Sequence, residues 1–178
     1  ATFIANDKVV VTTQAAPTFV AGSRGTILVS TLPEGETSIQ SKAFEIKIGD
    51  PAGQTSIGTT KVIPYNSTAS ETYETLLTQL ETKINDENIT GLTVTKYANQ
   101  LQLDYVISST RTPFTLEAKG GADNKRLVVY QDHALDEASL PPNSFHNHVV
   151  GITNGSRDQT DDIYTKFVAD NGTAGSGY

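Results

Sequence analysis

The stretch ASETYETLLTQLETKIN, residues 69–85, decides the fold. Its apolar residues Ala69, Tyr73, Leu76, Leu77, Leu80 and Ile84 recur at spacings of three and four, which gathers them on one stripe of a helix. Thr68 followed by Glu71 has the spacing of a capping box, in which the hydroxyl accepts an orphan amide and the carboxylate reaches back. Pro64 upstream and Gly91 downstream punctuate the segment. A lone amphipathic helix of this length is not stable in water, so a sheet must lie beneath it.

Strand patterns flank the helix. Phe44, Ile46 and Ile48 alternate with Glu45 and Lys47, the period of a half-buried strand. Residues 92–95 and 101–105 alternate again, and the link at 97–100 is short enough for a hairpin with Asn99 in a left-handed conformation. Phe114 with Leu116, and residues 127–130, give further short strands, with others at 9–13, 26–29 and 164–169. The expected class is α+β, mainly β: antiparallel sheets with one amphipathic helix, about residues 69–85, packed on a sheet. Abundant Thr, Ser, Asn and Gly fit strands and turns. Residues 34–42, 50–60 and 134–147 read as polar loops longer than usual connections. No fixed-period repeat supports a solenoid or propeller. A length of 178 residues fits one domain, 1–178.

The formal charge of −7, with 13 scattered basic residues, argues against a phosphate-backbone grip. An acidic surface instead repels phosphate and lets a strand pass without sticking, although solvation alone also explains it. The absence of cysteine excludes disulfides, thiolate metal sites and cysteine nucleophiles. No apolar run reaches the roughly 20 residues of a membrane span.

The chemistry-bearing candidates are few. There is no Gly-x-Ser-x-Gly elbow and no phosphate-binding Gly-Lys-Ser/Thr. His133, His146 and His148 fall in loop-like sequence without a recognisable partner spacing. His146 and His148 would share a face, and a metal, if they lay on an extended strand, with His133, Asp132 or Asp136 as a third ligand. Exposed loop histidines are the simpler reading. Asp158, Asp161 and Asp162 suit a hard cation but lack the spacing of a calcium loop, and a solvated turn is simpler. Gly172, Gly175 and Gly177 lack the strand-to-helix context of a dinucleotide site. Phe44, Tyr73, Tyr105, Phe114 and Tyr164 are assigned to the core rather than to a sugar-stacking row.

Several short segments, in order along the chain, carry a family likeness. They are Thr2-Phe3-Ile4-Ala5-Asn6-Asp7-Lys8-Val9-Val10-Val11, the strands at 26–29 and 44–48, the helix and hairpin, Leu140-Pro141, Val149-Val150-Gly151-Ile152, and Asp161-Asp162-Ile163-Tyr164-Thr165-Lys166-Phe167. Together they resemble the N-terminal region of the tail tubular protein B, or nozzle, family of short-tailed phages. Ile163 departs from the family's Tyr at that place, and residues 131–148 look specific to this chain. The resemblance implies a non-enzymatic virion tail subunit in a homo-oligomeric ring, a hexamer, contacting tail adaptor and tail fibre proteins. DNA would pass through the assembled channel during genome ejection without specific binding, and the segment would not insert into a membrane. No catalytic, cofactor-binding or metal residue comes with it, and no cofactor. The acidic turn at 158–162 and the loop at 131–148 are expected to face neighbouring subunits or solvent. The lack of Met and the ending Gly175-Ser176-Gly177-Tyr178 suggest an excised fragment, which the resemblance makes a single N-terminal, platform-like domain or fragment of a larger tail subunit.

Two other functions compete. A receptor- or glycan-binding module of a fibre or adhesin would need an exposed cluster such as Tyr65, Tyr97 and Tyr130. A wall-degrading hydrolase would need a working His or Asp.

Overall fold

A computed structural model describes residues 22–29, 39–51, 57–120, 126–134, 140, 144–152 and 163–168. The expected strand at 9–13 and the acidic residues 158–162 lie outside them. The described chain is mostly strand, with one helix, in the expected α+β, mainly β class. In order the elements are β1 (Arg24–Val29), β2 (Ala43–Gly49), β3 (Lys61–Asn66), α1 (Tyr73–Asp86), β4 (Leu92–Tyr97), β5 (Gln100–Ile107), β6 (Thr110–Arg111), β7 (Thr115–Gly120), β8 (Leu127–Tyr130), β9 (His133–Ala134), β10 (Val149–Ile152) and β11 (Ile163–Lys166).

Three sheets result. The first runs β4-β5-β1-β8, with β6 folded back on β5; the second runs β3-β2-β7; a small third sheet runs β11-β10-β9. Every pair is antiparallel except β9 with β10. The first two sheets share one core. Ile27, Leu101, Leu103 and Tyr105 from the first meet Phe44, Ile46, Ile48 and Leu116 from the second. β8 lies beside β7 along one seam, and α1 packs on β4 while also reaching β3 and β5 across the other. The helix contributes Leu76, Leu77, Leu80 and Ile84, all essentially unexposed. Each such side chain gains roughly 1.5–3 kcal/mol by leaving water.

The β7–β8 seam has a side-chain link in place of a backbone ladder. Gln131 accepts from the Leu116 amide at 3.2 Å and donates to the carbonyls of Phe114 at 3.1 Å and Gly22 at 3.4 Å. One amide thereby satisfies backbone groups at the join that a strand partner would otherwise have to meet.

Several expectations are corrected. The helix starts at Tyr73 rather than at residue 69, and Ala69 is exposed outside it. The capping box is Thr72 with Thr75: Thr72 Oγ1 accepts from the Thr75 amide at 3.2 Å, and Thr75 Oγ1 accepts from the Thr72 amide at 2.9 Å. Thr68 and Glu71 do bond to each other, but Glu71 also receives the Tyr65 hydroxyl at 2.8 Å. Its carboxylate therefore fastens the approach segment to β3 instead of capping the helix.

Asn88, at φ 50, takes the left-handed position beyond the helix end, a role Asn fills as Gly does. Gly91, at φ 86, opens β4, where a Cβ would strike the Val106 carbonyl. In the β4–β5 hairpin the positive φ of 47 belongs to Ala98, not to Asn99, whose carbonyl accepts from the Val29 amide at 3.1 Å. Pro64 sits inside β3, an edge strand, where a missing amide is tolerated. Phe114 is buried but precedes β7, and Tyr164 is 58% exposed on β11 rather than in the core.

Leu80→Ala removes a fully buried contact from the bridge between the sheets. We expect a loss of about 2–5 kcal/mol, read as a lower urea midpoint with an unchanged denaturant slope.

Candidate functional site

A polar clasp joins the first sheet to the small one. Register places Arg24 of β1 opposite Asp104 of β5, on the face turned away from α1. The guanidinium reaches the Asp104 carboxylate through Nε at 3.4 Å and Nη2 at 3.5 Å, and donates through Nη1 to the His146 carbonyl at 3.4 Å. Arg111, brought back by the β5–β6 turn at Ser108 and Ser109, meets the same carboxylate at 3.3 and 3.4 Å. Arg24 also lies over the Phe145 ring, 4.8 Å from its centroid, where the ring face attracts a cation. Burial lowers the Arg24 pKa from its ordinary value, and the Asp104 charge offsets part of that.

The turn at residues 144–148, which carries the Phe145 ring and the His146 carbonyl, holds an internal pair. Ser144 Oγ lies 2.5 Å from His148 Nδ1, and the Phe145 and His148 rings meet edge to face with centroids 5.9 Å apart. His148 is pushed down to about 4, first by burial and then by the Arg24 charge, so its ring is neutral near pH 7. Ser144 and His148 therefore share one short hydrogen bond whose donor is set by the tautomer of the neutral ring. Behind this pair, His148 and Phe167 continue the β10–β11 ladder through a 2.8 Å bond from the Phe167 amide. The turn, β10 and β11 are thus fastened to β1 and β5 together.

The histidine spacing behaves differently from an extended strand. His146 and Asn147 form a turn, with Asn147 at φ 63, so the same-face geometry required for a shared metal does not arise. His133 is exposed on β9, its Nδ1 3.6 Å from Asp132. Among the described residues no group of three or more His, Asp or Glu is placed to hold a metal ion. Asp136, Asp158, Asp161 and Asp162 lie outside those residues. Ser144 is 0% and His148 5% exposed, so the pair presents neither a nucleophile nor a base to solvent. The 131–148 stretch, expected to face outward, turns Ala134, Ser144 and His148 into the protein.

A second polar cluster lies at the start of α1. Burial and the Glu71 carboxylate push the Tyr65 hydroxyl up to about 12. Burial alone would raise Glu71, but hydrogen bonds from Thr75, Tyr65 and Thr68 outweigh it and lower the carboxyl. This cluster holds the helix entry. Tyr97 and Tyr130 stand on opposite edges of the first sheet and Tyr65 on the second, so the three do not form one aromatic platform.

Arg24, Asp104, Arg111, Ser144 and Gln131 were not singled out by sequence. Arg24 and Asp104 are 80 residues apart, and Arg24 and His146 are 122 apart, so no local spacing marks them. The one usable signal is Asp104, a charge on the outward phase of an alternating strand.

A model of the bacteriophage nozzle protein family matches residues 1–174. The chain belongs to the bacteriophage nozzle protein family. It is therefore a virion component with a structural role in the phage tail, in line with the resemblance carried by its short segments. A search of curated protein sequences returned no match. For a nozzle-family chain, the clasp is a cohesive device linking sheets. No helix among the described residues is long and apolar enough to cross a membrane.

The pH dependence of the clasp follows from His148. A folded-state pKa near 4 against an ordinary 6.5 means that the folded chain binds fewer protons between those values. Stability is full above the ordinary value and falls as pH drops toward the folded one. We expect a loss of about 1–2 kcal/mol between about pH 7 and about pH 5, measured by denaturation, with that slope absent in His148→Gln.

Proposed function

We propose that this chain is a non-enzymatic platform-like domain of a tail nozzle subunit, helping to enclose the channel through which the genome leaves. The observation that carries this reading is the family match across residues 1–174. The subunit assembles with copies of itself into a ring, a hexamer, and contacts the tail adaptor and the tail fibres. Supporting features are an acidic balance of −7, which keeps passing DNA from adhering, and a polar clasp whose chemistry is inward and cohesive. No residue is assigned a catalytic, cofactor or metal role. The glycan-binding alternative loses its aromatic platform, because Tyr65, Tyr97 and Tyr130 are spread over two sheets.

Cryo-electron microscopy of tails containing this chain tests the proposal. The expected map places its copies in a closed ring around the tail axis, touching adaptor and fibre densities. Copies found only in a fibre, away from the axis, would overturn it.

A further inference from the structure

The face of the first sheet turned away from α1 carries a second feature, separate from the clasp. Strand register puts Thr95 opposite Gln102, Gln102 opposite Thr26, and Thr26 opposite Tyr130. Paired residues share a face, so four strands lay one polar row across it. The next row contains Gln100 opposite Leu28. Thr26 and Gln100 are 0% exposed and Gln102 is 2% exposed. Among the described residues, Thr26 Oγ1, both amide atoms of Gln100 and Nε2 of Gln102 have no hydrogen-bond partner. Four orphaned atoms held dry would cost an amount comparable with the whole stability of a domain.

We propose that this face is a hydrated seam, in which ordered water bridges Thr26, Gln100 and Gln102. The donor set selects water. Gln100 offers both N–H and carbonyl oxygen, Gln102 offers N–H and Thr26 a hydroxyl, so the occupant must donate and accept over a short span. Water does both and typically makes about three such bonds in buried sites. A cation satisfies only the oxygens, an anion only the N–H and O–H groups, and an apolar molecule neither. Thr95, beside Gln102 in the same row, is exposed at the β4 edge and gives the water a route to exchange with solvent.

Water-selective NOE and ROE spectra of the folded, ¹⁵N-labelled chain test the seam. The side-chain amides of Gln100 and Gln102 are expected to show water cross-peaks with the sign of long-lived bound water, while exposed Gln79 shows only the fast-exchange pattern. In a folded Thr26→Val chain the Gln102 cross-peak is expected to be lost. Gln100 and Gln102 amides silent to water in the folded wild-type chain would overturn the proposal, whether or not the variant folds. An unchanged Gln102 signal in folded Thr26→Val would overturn the bridging role of Thr26.

Discussion

The structure depends on one apolar stripe. Leu76, Leu77, Leu80 and Ile84 of α1 lie across two sheets that share no backbone ladder with each other. On one side β7 and β8 approach and are tied by Gln131; on the other the helix stands between β3 and β4. Without the stripe, Ile63 and Val94 and the layer beneath them would lose their cover, and two half-open sheets would present apolar faces to water. The hydrogen bonds inside each sheet hold strands in register, but the apolar contact holds the sheets to one another.

Polar groups do the complementary work at the outer face. One carboxylate, Asp104, is met by Arg24 and Arg111, and the Arg24 side chain also reaches a carbonyl and an aromatic ring in the 144–148 turn. Partly buried charge is unfavourable unless its partners are fixed, so such a group specifies geometry more than it adds stability. The neutral His148 beside Ser144 completes the packing without adding a further positive charge to Arg24 and Arg111.

Much of the fold was legible because periodicity reports burial. The helix stripe and the alternation of Phe44, Ile46 and Ile48 appear in the core as expected. The helix start is ambiguous in sequence because two capping spacings, Thr68–Glu71 and Thr72–Thr75, follow one another, and only tertiary contact with Tyr65 assigns Glu71 to the sheet. β3 is not legible in the sequence because Pro64 reads as punctuation until its strand is known to lie at an edge. Alternation assigns Tyr164 to the core because it does not say which sheets have a covering layer, and on β11 the side chain is exposed. The clasp was invisible for a different reason: its members come from β1, β5, β6 and a distant turn, and only the strand register brings them together.

We infer that the first two sheets and α1 form one cooperative unit. Native-state hydrogen exchange measures this directly. The slowest amides of β1, β5, β2 and α1 are expected to share one opening free energy and one denaturant dependence. Exchange of β2 and β3 through a separate, lower-energy opening, with β1, β5 and α1 still protected, would contradict it.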